Sequence, residues 1–491
     1  MGANSEVIRF FLNGKLTTVR GIELTQSVLN YLRYDLCLAG SKEGCAEGDC
    51  GACTVVVAEL VDNRLEIRAV NACIQFVPTL HGKALFTVEY LRQQSGALHP
   101  VQQAMVDCHG SQCGFCTPGF IMSMWNVYIE HTGKHTVASD EQLRTALSGN
   151  LCRCTGYKPI LEAGKKMFDL PQVGFDHESV INQLKTLQTR RAFEYHFNDT
   201  AFIAPENLAQ LISLRKEKPE ATILAGCTDI GLWVNKQFRD LGDIIYIGNV
   251  NELKIIKVEN DQLYIGAGVT LNDAFKAIAD YYPQIKEQWQ RFASVPIRNA
   301  GTLGGNVANG SPIGDSMPWL ITLRAKVKLT AESGVRTMPL ENLYVDYMRK
   351  SMNPDEVVEA VIVPVSQPST RFRTYKLSKR YDSDISAVCA AFYIQINDNK
   401  INDACIAFGG MAAIPKRAEE TEASLIGEKW NEQTAAKAIN CISNDFSPLT
   451  DMRASDNNRL QSAKNLLYRF YLETREDNPL RTDQVSVFES E

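Results

Sequence analysis

Ten of the fourteen cysteines in this 491-residue chain fall between Cys37 and Cys154, and eight of those ten form two tight sets. That crowding constrains the chain more than any other feature. Thiols gathered on short loops either pair as disulfides or share a metal. A disulfide framework belongs with a small secreted chain, whereas 491 residues call for several cores. The opening run MGANSEVIRFFLNGK lacks the apolar stretch of a secretory leader. Metal ligation in a reducing compartment is therefore the expectation, and the cytoplasm is the expected location. No apolar run is long enough for a membrane span, so no membrane is expected as a partner. A net charge of -6 argues against nucleic acid, whose phosphates need a basic face.

The first set is Cys45, Cys50, Cys53 and Cys73, spaced C-x4-C-x2-C-x19-C. This is the plant-type 2Fe–2S ferredoxin spacing, in which glycines let backbone amides approach the sulfur atoms closely. A hairpin over residues 7–20, turning at Asn13-Gly14, and a short helix over Ser27 to Leu32 precede the loop; the strand Thr54 to Ala58 follows it. The competing reading is a structural zinc site, although zinc sites usually pair two short knuckles rather than crowd three thiols on one loop. Cys37 stands outside the set and reads as an ordinary buried thiol.

The second set is Cys113, Cys116, Cys152 and Cys154, in a stretch whose periodicity predicts helices over Val101 to Cys108, Pro118 to Glu130, Ser139 to Leu147 and Pro159 to Phe168. The thiols sit on turns at helix starts, where free amides and the helix dipole stabilise negative charge. A single residue between Cys152 and Cys154 makes a poor zinc knuckle, so a second 2Fe–2S cluster is expected. Cys108 reads as core.

Residues 171–192 are polar and read as a connector. Beyond them the pattern is α/β, with a helix over Pro205 to Lys216, a strand over Thr222 to Ala225 and a helix over Thr228 to Phe238. The turn Ile223-Leu224-Ala225-Gly226-Cys227-Thr228-Asp229-Ile230 suits a diphosphate, although many strand–helix turns look alike. A second glycine-rich run, Thr302-Leu303-Gly304-Gly305-Asn306, is followed by Asp315; its plain alternative is a glycine turn. No G-x-G-x-x-G follows a strand, so a Rossmann site is not supported. From about Tyr375 a smaller unit is expected, with strands over Val388 to Ile396 and Ile401 to Phe408 and a helix over Asn457 to Glu473.

The segments GCAEGDCGACTV, SQCGFCTPG and GNLCRCTGY resemble the paired cluster domains of the molybdenum hydroxylases, the xanthine dehydrogenase and aldehyde oxidase group, and the resemblance runs on through the flavin region. It implies a multidomain α+β chain: a β-grasp plant-type ferredoxin domain (1–88), a four-helix 2Fe–2S domain (89–170), the linker (171–192), a vanillyl-alcohol-oxidase-type FAD-binding domain (193–370) and a small α+β C-terminal domain (371–491). It further implies that the residues from Ile223 to Ile230 and from Thr302 to Asn306 hold the FAD diphosphate. Phe292 would lie against the flavin, Asp315 at the adenosine end, and Val358 and Lys376 along the site. Gln112 would face a pterin, with a polar loop residue as the bland reading. The loop from Ser378 to Asp384 would govern nicotinamide access or be a solvated charge run.

The resemblance also implies two 2Fe–2S clusters, FAD, NAD+ as acceptor, and molybdopterin on a large partner subunit in a heterotetramer or higher assembly. The chain supplies no hydroxylating residue of its own. Electrons would pass from the partner's molybdenum centre through both clusters to FAD, with oxidation of hypoxanthine and xanthine to urate as the expected reaction. An aldehyde or N-heterocycle hydroxylase and a free-standing NADH:acceptor reductase are the alternatives.

Overall fold

The computed structural model describes residues 7–92, 96–189, 191–365 and 370–485, so the parts of the expected segments at 1–6, 93–95, 190, 366–369 and 486–491 lie outside the described residues. The chain divides into two compact units. One comprises Met1–Glu252, Thr270–Asn272 and Ala293–Thr302; the other comprises Leu253–Val269, Asp273–Phe292 and Leu303–Glu491.

In the first unit, β1 (Ile8–Leu12) and β2 (Lys15–Val19) form a hairpin that turns at Asn13 (φ 51) and Gly14 (φ 79), the positive angles a two-residue turn requires. The helix expected over Ser27 to Leu32 is a single turn, α1 (Val28–Asn30), capped by the Ser27 hydroxyl, after which the backbone widens through Tyr31–Asp35. With β3 (Thr54–Val61), β4 (Arg64–Asn71) and β5 (Ala84–Phe86), the hairpin makes a sheet in the order β2-β1-β5-β3-β4, with β1 and β5 parallel.

Strand alternation sends neighbours to opposite faces. Ile8, Phe10, Val55 and Leu85 enter one core; Phe11, Val56, Ala58 and Phe86 enter another. The second core is completed by α2 (Pro100–Asp107), α3 (Thr117–Gly133), α4 (Asp140–Leu147) and α5 (Lys158–Lys166). Proline in the first turn of α2, α3 and α5, and a Ser139–Gln142 capping box on α4, set where these helices start.

The connector is more ordered than its composition predicts. It contains α6 (His177–Lys185), capped by Asp176, and buries Val180 and Leu184 in the helical core. Two apolar side chains one turn apart suffice to dock it, too few for a visible stripe. Next come β6 (Phe193–Phe197), β7 (Thr200–Ala204), α7 (Leu208–Glu217), β8 (Thr222–Leu224), α8 (Thr228–Gln237) and β9 (Ile244–Tyr246), with the sheet ordered β6-β7-β9-β8. Tyr195, Phe202, Leu224 and Ile244 share the first core with Ile8 and Phe10.

The second unit holds an antiparallel sheet, β10-β11-β16-β12-β13, built from β10 (Ile256–Glu259), β11 (Gln262–Gly266), β12 (Lys326–Ala331), β13 (Gly334–Pro339) and β16 (Val357–Pro364). A small ribbon, β14 (Tyr344–Asp346) with β15 (Arg349–Lys350), precedes β16. The helices along this stretch are α9 (Leu271–Ala279), α10 (Lys286–Arg291), α11 (Val295–Ala300, within the first unit), α12 (Leu303–Asn309) and α13 (Ser316–Thr322). A second sheet, β17 (Thr370–Leu377), β18 (Val388–Asn397), β19 (Lys400–Gly409) and β20 (Lys416–Arg417), carries α14 (Glu419–Ala423), α15 (Glu432–Asp445) and α16 (Asp456–Thr474) over a core of Phe392, Phe408, Trp430 and Phe470. Among the described residues no helix is long and apolar enough to cross a membrane.

Candidate functional site

Cys45, Cys50 and Cys53 lie on the loop that enters β3, and Cys73 lies just beyond β4. The β3–β4 pairing places Thr54 opposite Asn71, which returns Cys73 to the loop despite nineteen intervening residues. Each of the four thiols touches at least one other of the set. Contacts with the Cys50 and then the Cys73 thiol hold Cys45 well below the usual thiol range, and the Cys73 thiol holds Cys53 down. Cys50 and Cys73, the groups that keep the protons, are pushed up. The amides of Cys50 (3.4 Å) and Glu47 (3.5 Å) donate to the Cys45 sulfur. A Cβ added at Gly44 would come within 2.8 Å of the Cys50 sulfur, so only glycine leaves that sulfur room. Electron-rich thiolates crowded under amide donors fit an iron–sulfur group.

Sequence reasoning missed Asn71. It is buried, and its Nδ2 donates to the Cys53 sulfur at 3.8 Å. An N–H aimed at a ligand sulfur stabilises the extra electron of a reduced cluster. Asn71→Leu is therefore expected to lower the midpoint potential of a cluster held by this set by about 40 mV, the equivalent of ~1 kcal/mol for one electron, in a redox titration followed by electron paramagnetic resonance.

The second set sits on the turn leading into α3 and the turn between α4 and α5. Cys113 meets Cys154, which is raised by that contact. Cys116 meets Cys152 and is pushed up to about 12, chiefly by burial. Burial would also raise Cys152, but donation from the Thr155 hydroxyl (3.3 Å) and the Cys154 amide (3.4 Å) outweighs it and brings the thiol down to about 7. Cys113 and Cys154 are exposed, as is Gln112. Among the described residues no three metal-ligating side chains surround one point as a single ion requires. The thiols of the first set instead meet in a chain, Cys50 to Cys45 to Cys73 to Cys53, and those of the second as two pairs.

The turn expected to hold the diphosphate spans β8 and the start of α8, whose first-turn amides lack helical acceptors and so offer an anion donors. Cys227 occupies it with a left-handed backbone (φ 61), and burial pushes its thiol up to about 12. The far end of α8 reaches the first cysteine loop: Asn235 Nδ2 donates to the carbonyls of Cys73 (2.8 Å) and Ala46 (3.1 Å), and Lys236 Nζ to that of Cys45 (2.6 Å). Gln75 donates to the Gly226 carbonyl at 2.9 Å. One helix thus joins the diphosphate-type turn to the ferredoxin-type loop.

The other expected flavin residues are placed as follows. Thr302 pairs with Thr270 in the first unit. In the second, the amides of Leu303 and Gly304 donate to the Val269 and Ala267 carbonyls, and Asn306 accepts from Ser316. Phe292 packs edge-on against Phe275, 5.2 Å between centroids, and Val358 is buried on β16. Asp315 and Lys376 form a buried ion pair at 2.5 Å, with Ser386 donating to the same carboxylate and the Asp384 carbonyl accepting from Lys376. Removing one member strands the other's charge, so Lys376→Met is expected to lower stability by about 3–5 kcal/mol in chemical denaturation. The loop from Ser378 to Asp384 is anchored by Arg291, whose guanidinium lies 4.4 Å from the Tyr381 ring centroid and donates to the Tyr381 carbonyl and the Ser378 hydroxyl.

Three family models match the chain: the 2Fe-2S binding domain over residues 87–165, the FAD binding domain in molybdopterin dehydrogenase over 194–366, and the CO dehydrogenase flavoprotein C-terminal domain over 373–474. Xanthine dehydrogenase of Oryza sativa is 30% identical over 498 residues, covering 85% of this chain and 36% of its own length. Aldehyde oxidase 4 of Cavia porcellus is 29% identical, covering 96% of this chain and 39% of its own length. The chain thus spans little more than a third of these curated relatives. Among solved structures, CO dehydrogenase from Oligotropha carboxidovorans matches with a TM-score of 0.52 at 25% identity, covering 55% of this chain and 95% of its own.

The fold and these domains define an electron-transfer flavoprotein that carries FAD and a 2Fe–2S cluster. It belongs to the molybdenum hydroxylase family of oxidoreductases, of which it carries the iron–sulfur and flavin portion.

Proposed function

We propose that the chain passes electrons from a molybdopterin centre on a large partner subunit, through two 2Fe–2S clusters and FAD, to NAD+, within a heteromeric xanthine dehydrogenase. Cys113, Cys116, Cys152 and Cys154 hold the cluster nearer the partner; their turns include the exposed Cys113 and Cys154. Cys45, Cys50, Cys53 and Cys73 hold the other. The residues from Ile223 to Ile230, with those from Thr302 to Asn306, Phe292, Asp315, Val358 and Lys376, belong to the FAD site. The observation that carries this reading is α8: it starts at the flavin turn and ends hydrogen-bonded to the Cys45–Cys73 loop, which favours that cluster as the flavin's neighbour.

The cofactors supply the redox chemistry, one electron at a time at iron and two at the flavin. The protein's own residues set spacing and potential. Asn71 and the Glu47 and Cys50 amides donate toward ligand sulfurs, Thr155 does so in the second set, and Asn235 holds loop to helix. Similarity to xanthine dehydrogenases over 85% of the chain favours a purine as the partner's substrate.

Purification from the native host is expected to yield a complex with molybdenum, iron and flavin that reduces NAD+ with xanthine. Activity with an aldehyde or N-heterocycle but not with xanthine would move the complex to the neighbouring hydroxylases. A chain that purifies alone and oxidises NADH would point to a free-standing reductase.

A further inference from the structure

The two cysteine sets are joined by one buried amide. Asn150, 2% exposed, lies two residues before Cys152, and its side chain makes three hydrogen bonds at the junction. Its Nδ2 donates to the Gly51 carbonyl at 3.1 Å and to the Thr54 hydroxyl at 3.4 Å, both beside Cys50 and Cys53. Its Oδ1 accepts from Ser123 of α3 at 2.7 Å, which fixes the amide's orientation. The next residue completes the join, the Leu151 amide donating to the Cys50 carbonyl at 2.9 Å. A ligand of one set is thereby linked to a ligand of the other through Cys50 C=O, the Leu151 N–H and the peptide bond to Cys152.

Steric closure around Gly51 holds that distance. Gly51 has φ +70, and a Cβ there would lie 2.2 Å from the Gly149 carbonyl oxygen. From the other side, a Cβ at Gly119 would lie 2.1 Å from the Gly51 carbonyl oxygen. The two loops meet backbone to backbone, and Asn150 is the side chain from the second loop that, with Thr54 of the first, satisfies the Gly51 carbonyl this contact buries. A buried amide with this bonding is costly unless its geometry is kept, so it specifies one arrangement of the loops.

We infer that Asn150 is the positioning residue for electron passage between the two cysteine sites, setting their separation and keeping the Cys50–Leu151 hydrogen bond as the shortest bonded route between them. The inference rests on the two-cluster reading above. One electron leaves the helical-domain site as one arrives at the ferredoxin-type site, and the clasp sets only how readily it crosses.

The test uses the purified full chain with Asn150→Ala and Asn150→Asp, the second keeping the shape but losing the donors. Iron content, flavin content and unfolding midpoint establish that each variant is loaded and folded; where Asn150→Ala fails to accumulate, Asn150→Asp carries the test. Expected are wild-type iron, a weaker spin–spin interaction between the two reduced clusters by electron paramagnetic resonance, and an about tenfold slower intercluster equilibration after rapid reduction. Full iron with unchanged spin–spin interaction and an unchanged rate in both variants would overturn the inference alone. A wild-type chain holding iron for only one cluster would overturn the two-cluster reading and this inference with it.

Discussion

On the two-cluster reading, replacing Cys45 with serine is expected to remove one of two 2Fe–2S signals from the reduced chain and about half of its iron, while Cys113→Ser is expected to remove the other signal and leave the first. Cys45 is the hub of its set, since its sulfur meets the Cys50 and Cys73 thiols and accepts two amides. A serine oxygen at that point is a harder donor on a shorter bond and leaves those amides without their sulfur. The contacts of Asn235 and Lys236 with the loop are expected to loosen as iron is lost, because metal binding and local order are coupled. Cys37, expected to be buried, is instead exposed where the chain leaves the first helical turns, so Cys37→Ser is the matched control and is expected to keep both signals. If Cys45→Ser retained full iron and both signals, the ferredoxin-type site would have to be assigned to other ligands.

What could be read from the sequence was local. The cysteine spacings, the Asn13-Gly14 turn and the helices flanking the second set are decided within a few residues, by bond geometry, positive φ and periodicity. Helix starts near Pro100, Thr117 and Ser139 follow from prolines and caps visible in the string. What stayed hidden depends on partners far away in the chain. Asn150 acts on residues nearly a hundred positions earlier, and Asn235 on residues more than 160 positions earlier. Asn71 sits two residues before Cys73, a hint that spacing alone cannot turn into a bond to Cys53. Arg291 adjoins Phe292, yet its hold on Tyr381 spans ninety positions. Polar side chains of this kind carry no periodic signal. Their importance appears only when the fold buries them and obliges them to find partners.

The Asp315–Lys376 pair shows the same limit from the other side. Both residues were expected along the flavin site, and both are engaged in a buried pair with each other. Both oxygens of this acid already accept from Lys376 and Ser386, so what the structure gives the pair is the tie between β17 and the start of α13.

Gly226→Ala is expected to strip the flavin and spare the iron. An alanine Cβ would stand 1.9 Å from the Ala300 carbonyl oxygen and 2.5 Å from its carbon, too close for any rotamer to relieve because both partners are backbone. That backbone is held on either side: the Gly301 amide donates to Ile297 at 2.8 Å, and its carbonyl accepts from Leu271 at 2.8 Å. The turn must therefore move away from α11. The shift carries with it the amides at the start of α8 and the Gln75 bond to the Gly226 carbonyl. Overpacking of this kind costs about 1–3 kcal/mol. Taken from FAD affinity, that is a factor of roughly 5 to 150, enough to empty the site during purification. The cysteine loops keep their own bonds, so iron should stay while the flavin-to-iron ratio falls by up to that same factor. A variant that melts earlier yet keeps its full flavin-to-iron ratio would show that this turn packs the fold without seating the diphosphate.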